Sequence, residues 1–167
     1  ESGLDGADLP APSRPPAGTD AVAFIIETCR TTEGIWLVPT GPLTNIALAL
    51  RTAPDLARRI AGISLMGGGR FGNRTAAAEF NIWADPEAAR AVFHAGLDTT
   101  MIGLDVTHLA VTTPALQERL RGTGSIGAFV ADLIDFFAVY HLATYGWDGA
   151  PIHDAVAVAH VIRPGLV

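Results

Sequence analysis

Two rhythms of apolar and polar positions run along the 167-residue chain. Val22, Ile25, Ile26 and Cys29 recur at i, i+3, i+4 and i+7, one face of a helix, and Thr19 stands where an N-cap oxygen belongs. "GIWLVP" (34–39) and "GISLM" (62–66) are short, continuously apolar runs, which predict strands buried on both faces. "TTMIGL" (99–104) predicts a third strand ending at Asp105. Helices are predicted between and after these strands. "TGPLTNIALAL" turns from strand to helix with Pro42 near its first turn, and Thr52 with Pro54 opens a short helix. Asp85-Pro86-Glu87 supplies a capping carboxylate and a first-turn proline for the next. Thr113-Pro114 opens another. The longest, "SIGAFVADLIDFFAVYHLATY", presents Ile126, Phe129, Val130, Leu133 and Phe137 as one stripe, and Asp154 is expected to cap the last helix. Residues 1–18, rich in proline and glycine, read as a loop, and residues 19–167 as a single βα core.

Strands alternating with helices predict an α/β fold with a mostly parallel sheet. Ligands of such sheets bind at the carboxyl ends of the strands, where Thr40, Met66 with its glycine loop, and Asp105 all fall. The stretch "GNRTAAAEFNIW" (72–83) follows that loop. Its Asn73, Glu79 and Asn81 are spaced by six and two, which fits no helical face, although Glu79 and Asn81 could share one side of an extended segment. The cluster is either a solvated loop or a set of groups converging on a small polar ligand.

Other motifs divide in the same way. "GTGSIG" (122–127) has the spacing of a dinucleotide fingerprint but follows a helical stretch, so it reads as a helix–helix connection. "MGGGRFGN" lacks the lysine of a phosphate-binding loop. His153-Asp154 is either a helix start or a pairing of general acid and hard-cation ligand. The turn at Thr40 is either purely structural or exposes a carbonyl that calcium could use.

Composition narrows the field. With 49% hydrophobic and 17% charged residues the chain is globular rather than disordered. A net charge of −6, with 11 basic residues and no basic cluster, gives no electrostatic footprint for nucleic acid. No apolar run is read as approaching 18 residues and no basic leader is seen, so neither a membrane span nor a signal peptide is expected. The lone Cys29 excludes an internal disulfide and suits a reducing cytoplasm.

"TGPLTNIALAL", "LMGG", "AEFNIWADPEAA", "GLDVTH" and "HDAVAVA" occur in the order and spacing found in inosine–uridine preferring nucleoside hydrolases, and the chain resembles that family from about Val22 to Pro164. The resemblance implies a Rossmann-like enzyme of purine and pyrimidine salvage that hydrolyses the N-glycosidic bond of ribonucleosides with the help of Ca2+. It implies that Thr40 lends its carbonyl and Asp154 its carboxylate to calcium. Met66, Asn73, Glu79, Asn81 and Asp154 would face the ribose, and His153 would protonate the leaving base. The family's Asp-rich segment, D-x-D-x-x-x-D-D, is not found. The chain is therefore expected to be the central portion of such an enzyme, incomplete at both ends, with half a calcium site and no activity alone. Uncovered sheet edges lead to an expected homo-oligomer, a dimer or tetramer. Two other readings stand beside this one: a non-catalytic ribose- or nucleoside-binding remnant, and a metal phosphohydrolase built on His153-Asp154.

Overall fold

The structure is a computed structural model that describes residues 5–9 and 11–167. It divides into two compact units, one of residues 16–107 with 153–167 and one of residues 108–152 with the described part of 1–15. In the first unit, strands β1 (Trp36–Leu37), β2 (Gly62–Met66) and β3 (Thr99–Ile102) form a parallel sheet in the order β1-β2-β3. Helices α1 (Ala21–Thr31), α2 (Thr44–Thr52), α3 (Phe80–Ala84), α4 (Pro86–Phe93), α5 (Leu104–Thr107) and α8 (His153–Ile162) surround it, and Pro54–Arg58 forms a 3-10 turn.

Side chains alternate across β2, and this alternation builds the layers. Ile63 and Leu65 join Cys29 of α1, Ile46 and Leu50 of α2, and Ala88, Ala89 and Val92 of α4 in one core. Ser64 points the other way and donates to the Ala157 carbonyl of α8 at 2.8 Å. Helices thus cover both faces, as a parallel sheet requires. All five residues of β2 are buried, as its apolar run predicts. β1 departs from the expectation: only two residues pair and both are half-buried, because the strand lies at an edge of the sheet.

Several boundaries also shift. Asp20, not Thr19, caps α1, its Oδ1 accepting from the Ala23 N–H at 2.9 Å. Pro42 stands just before the Leu43 cap of α2, near its first turn as expected. Asp85 caps α4 as expected, accepting from the Ala88 N–H at 2.9 Å. Its other oxygen takes a 2.5 Å bond from the Thr44 hydroxyl, which ties α2 to α4. Asp154 is not a cap: α8 starts at His153 and Asp154 lies inside its first turn.

The second unit contains α6 (Pro114–Arg121), α7 (Ser125–Tyr145) and the antiparallel pair β4 (Val111–Thr112) and β5 (Ala150–Pro151). The glycine motif at 122–127 joins α6 to α7, which confirms it as a helix–helix connection. The stripe predicted along α7 is not its buried face. Ile126 is 79% and Phe137 44% exposed, and the buried residues are Gly127, Ala131 and His141. The helix is apolar nearly all round, so hydrophobic period alone marks no face, and small residues select the packed side. A Cβ on Gly127 would fall 2.1 Å from the Leu120 carbonyl oxygen, so only glycine permits this approach of α7 to α6. Arg121 closes the pair by bonding both Asp132 and Asp135.

α7 also corrects the reading of apolar length. Its 21 residues are long and apolar enough to cross a membrane. Two ion-paired acids near its middle favour a water-facing helix instead.

Of the loop expected over 1–18, residues 1–4 and 10 lie outside the described residues, and the rest holds only turns and bends.

Candidate active site

The carboxyl end of β2 runs into Gly67-Gly68-Gly69, and Glu79 and Asn81 lie against this loop. Gly69 has φ 146°, open to glycine but not to side-chain-bearing residues, and a Cβ there would meet the Leu104 nitrogen at 3.0 Å. The loop can therefore fold closely over the start of α5.

Glu79 is the hub. It is 3% exposed, and its backbone is extended (φ −76°, ψ 149°) as it enters a helix rather than as part of a strand. It is the N-cap of the short helix α3, which the spacing of Asn73, Glu79 and Asn81 did not suggest. Its Oε2 accepts from the backbone N–H groups of Gly68 (2.9 Å), Asn81 (2.9 Å) and Ile82 (3.2 Å). One carboxylate oxygen thus meets two orphan donors of the helix start and one of the glycine loop. Among the described residues no hydrogen bond ends on its Oε1.

Asn81, 7% exposed, donates through Nδ2 to the Met66 carbonyl at 3.0 Å and, at 3.4 Å, to the Thr40 carbonyl. The Met66 sulfur lies 3.4 Å from the same nitrogen. Both oxygens are pure acceptors, so the amide must turn its nitrogen toward them and its Oδ1 away. Thr40 and Met66, the exits of two neighbouring strands, are thereby joined through one side chain. Asn73 is exposed, and its Oδ1 accepts from the Phe80 N–H at 2.9 Å. It holds the start of α3 from the outside.

His153 and Asp154 open α8. Nδ1 of His153 lies 2.7 Å from the hydroxyl of buried Thr107, at the end of α5. The sequence reading assigned no part to this threonine, although "GLDVTH" contains it; nothing in a linear motif signals a partner 46 residues away. Asp154 has an open surface, yet surrounding protein and then the charge of Glu79 raise its carboxyl above the ordinary range. That interaction places Asp154 and Glu79 within electrostatic reach of each other. Asp105, at the end of the third predicted strand, accepts from the Arg70 N–H at 3.2 Å and so closes the glycine loop.

Among the described residues no three His, Cys, Asp or Glu side chains gather as a metal cluster. The oxygen donors at hand are the Thr40 carbonyl, which keeps a second lone pair beside its long bond from Asn81, and the Asp154 carboxylate. Both are hard oxygen donors of the kind that calcium takes, in shells of roughly six to eight oxygens.

The profile of inosine-uridine preferring nucleoside hydrolases matches residues 1–167. The chain is 48% identical over 170 residues to the pyrimidine-specific ribonucleoside hydrolase RihA of Citrobacter koseri, covering 99% of this chain and 54% of that protein. It is 46% identical to RihA of Klebsiella pneumoniae, covering 99% and 55%. Among solved structures, the purine-preferring ribonucleoside hydrolase from Gardnerella vaginalis superposes with a TM-score of 0.91 at 38% identity, over 98% of this chain and 53% of that one. A plant nucleoside hydrolase superposes with a TM-score of 0.88 at 33% identity, over 96% and 52%. The chain spans about half the length of the curated relatives it matches. A match over residues 1–167, together with the parallel α/β sheet, establishes that this chain belongs to the inosine-uridine preferring nucleoside hydrolase family.

Proposed function

We propose that this chain forms the ribose-facing wall of a ribonucleoside hydrolase, which cleaves the N-glycosidic bond to ribose and free base. The observation that carries the reading is the Glu79–Asn81 pair. Each side chain holds backbone with one polar atom, Oε2 or Nδ2, and keeps an acceptor oxygen, Oε1 or Oδ1, for a polyhydroxylated ligand. Cleavage of the glycosidic bond builds positive charge on the ribose ring. Carboxylate and amide oxygens fixed beforehand by backbone bonds stabilise that charge without reorganising. Asn73 and Met66 complete the wall, and His153 delivers a proton to the departing base.

Thr40, through its carbonyl, and Asp154, through its carboxylate, are the residues that would hold calcium. The ion would orient the ribose hydroxyls and acidify a water. The homo-oligomeric state, dimer or tetramer, and a cytoplasmic place in purine and pyrimidine salvage belong to the same proposal; the single buried thiol of Cys29 supports the compartment.

The test uses calorimetry and ribose-release assays on the 167-residue chain, with uridine, inosine and ribose, each with and without calcium. Heat of ribose binding that disappears in Glu79→Ala and Asn81→Ala supports the wall. No binding of any of the three ligands under either condition overturns it. A second reading, binding without turnover, is favoured by the lack of gathered acids among the described residues. Ribose binding with no release of base would select it. The same observation leaves a phosphohydrolase built on His153-Asp154 without its further ligands.

A further inference from the structure

We infer that Thr107 is a positioning residue that holds neutral His153 as the tautomer with its proton on Nε2. The 2.7 Å contact between Thr107 Oγ1 and His153 Nδ1 can be made in two ways. Either the hydroxyl donates to Nδ1, or an Nδ1–H donates to the hydroxyl oxygen. In the second arrangement the hydroxyl proton needs another acceptor. Thr107 is 0% exposed, and its hydroxyl has no other hydrogen-bond partner among the described residues. A buried donor left unsatisfied is costly enough to disfavour that arrangement roughly tenfold or more. The hydroxyl therefore donates, Nδ1 accepts, and the ring proton resides on Nε2.

The contact is held from both sides. Thr107 closes the short helix α5, and the first residue of that helix, Leu104, donates its N–H to the Gly68 carbonyl at 3.0 Å. α8 is fixed on the sheet by the Ser64 hydroxyl, which donates to Ala157 one turn beyond the histidine end. Neither group can move far without breaking a buried bond.

The consequence for chemistry rests on the functional reading above. A proton delivered to a leaving base would leave from Nε2, and Thr107 keeps the neutral ring in the form that carries it. The assignment itself needs no substrate. It is tested by 15N correlation spectra of the histidine rings in the full chain, with His153 identified by its loss in His153→Gln. The spectra are recorded about two pH units above the ordinary histidine value of about 6.5, where the ring is neutral. The wild type should show a pyrrole-like Nε2 and a pyridine-like Nδ1. Thr107→Val should give a mixture of tautomers, and Thr107→Ser should restore the wild-type pattern. A wild-type spectrum with the proton on Nδ1 overturns the inference, as does a Thr107→Val spectrum identical to wild type. If Thr107→Val does not fold, the wild-type and Thr107→Ser spectra still decide it. Should the tautomer be as assigned while the chain binds no nucleoside, the functional reading fails and the assignment stands.

Discussion

Replacing Glu79 by alanine should destabilise the chain by about 3 kcal/mol, and replacing it by glutamine by about 1 kcal/mol. The carboxylate is 3% exposed and its Oε2 serves the N–H groups of Gly68, Asn81 and Ile82. Alanine strands all three donors. A hydrogen bond to a charged acceptor is worth roughly 1.5–3 kcal/mol, but these three share one oxygen and are not additive. Loss of the carboxylate also relieves its repulsion with Asp154, which offsets part of the cost. Glutamine keeps an acceptor oxygen in the same place and gives up only the charge. The assay is urea unfolding followed by far-UV circular dichroism, comparing midpoints at an unchanged slope. With a slope of about 2 kcal/mol per molar, the alanine midpoint should fall by about 1.5 M and the glutamine midpoint by about 0.5 M. If alanine and glutamine variants both unfold within about 0.5 kcal/mol of wild type, Glu79 does not hold the glycine loop and α3 together, and the reasoning is wrong.

Asp154→Asn should raise the melting temperature at pH 7. Folding raises this group's proton affinity, so its stabilising contribution is full below the ordinary value of 3.8 and lost as the pH climbs past the raised one. The gain should vanish in thermal scans near pH 3.5, and an asparagine variant melting no higher at pH 7 refutes the sign. Calcium should raise the melting temperature of wild type and not of this variant, measured in the same scans. Ser64→Ala should cost about 1 kcal/mol in the urea midpoint, the worth of one buried bond to Ala157, and no change would show that α8 is held by packing alone. Gly69→Ala should cost about 1–3 kcal/mol, because φ 146° strains any side chain there; equal stability by urea titration would contradict the loop geometry.

Much of the fold was legible because it depends on local rules. The run 62–66 read as a buried strand and Asp85-Pro86 as a helix start, since apolar continuity and cap chemistry act within a few residues. The site residues were legible as types: amides and carboxylates beside glycines, in the order of a known family. What could not be read was the job of each atom. Glu79 looked like one face of an extended segment and is a helix cap, because its three donors come from two separate segments. The face of α7 was misread because a helix apolar on all sides carries no periodic signal, and the choice fell to Gly127, which lies against α6. Thr107 was invisible, its meaning lying in a histidine 46 residues away.

The sequence by itself determined the family, the alternation of strands and helices, and the identity of the polar groups at the strand exits. Only tertiary structure decided which oxygen of Glu79 holds backbone, where the Asn81 amide turns its nitrogen, and which ring nitrogen of His153 meets a hydroxyl. The physical reason is that hydrogen bonds are satisfied by whatever the fold brings near, and for each of these groups at least one partner is remote in the chain.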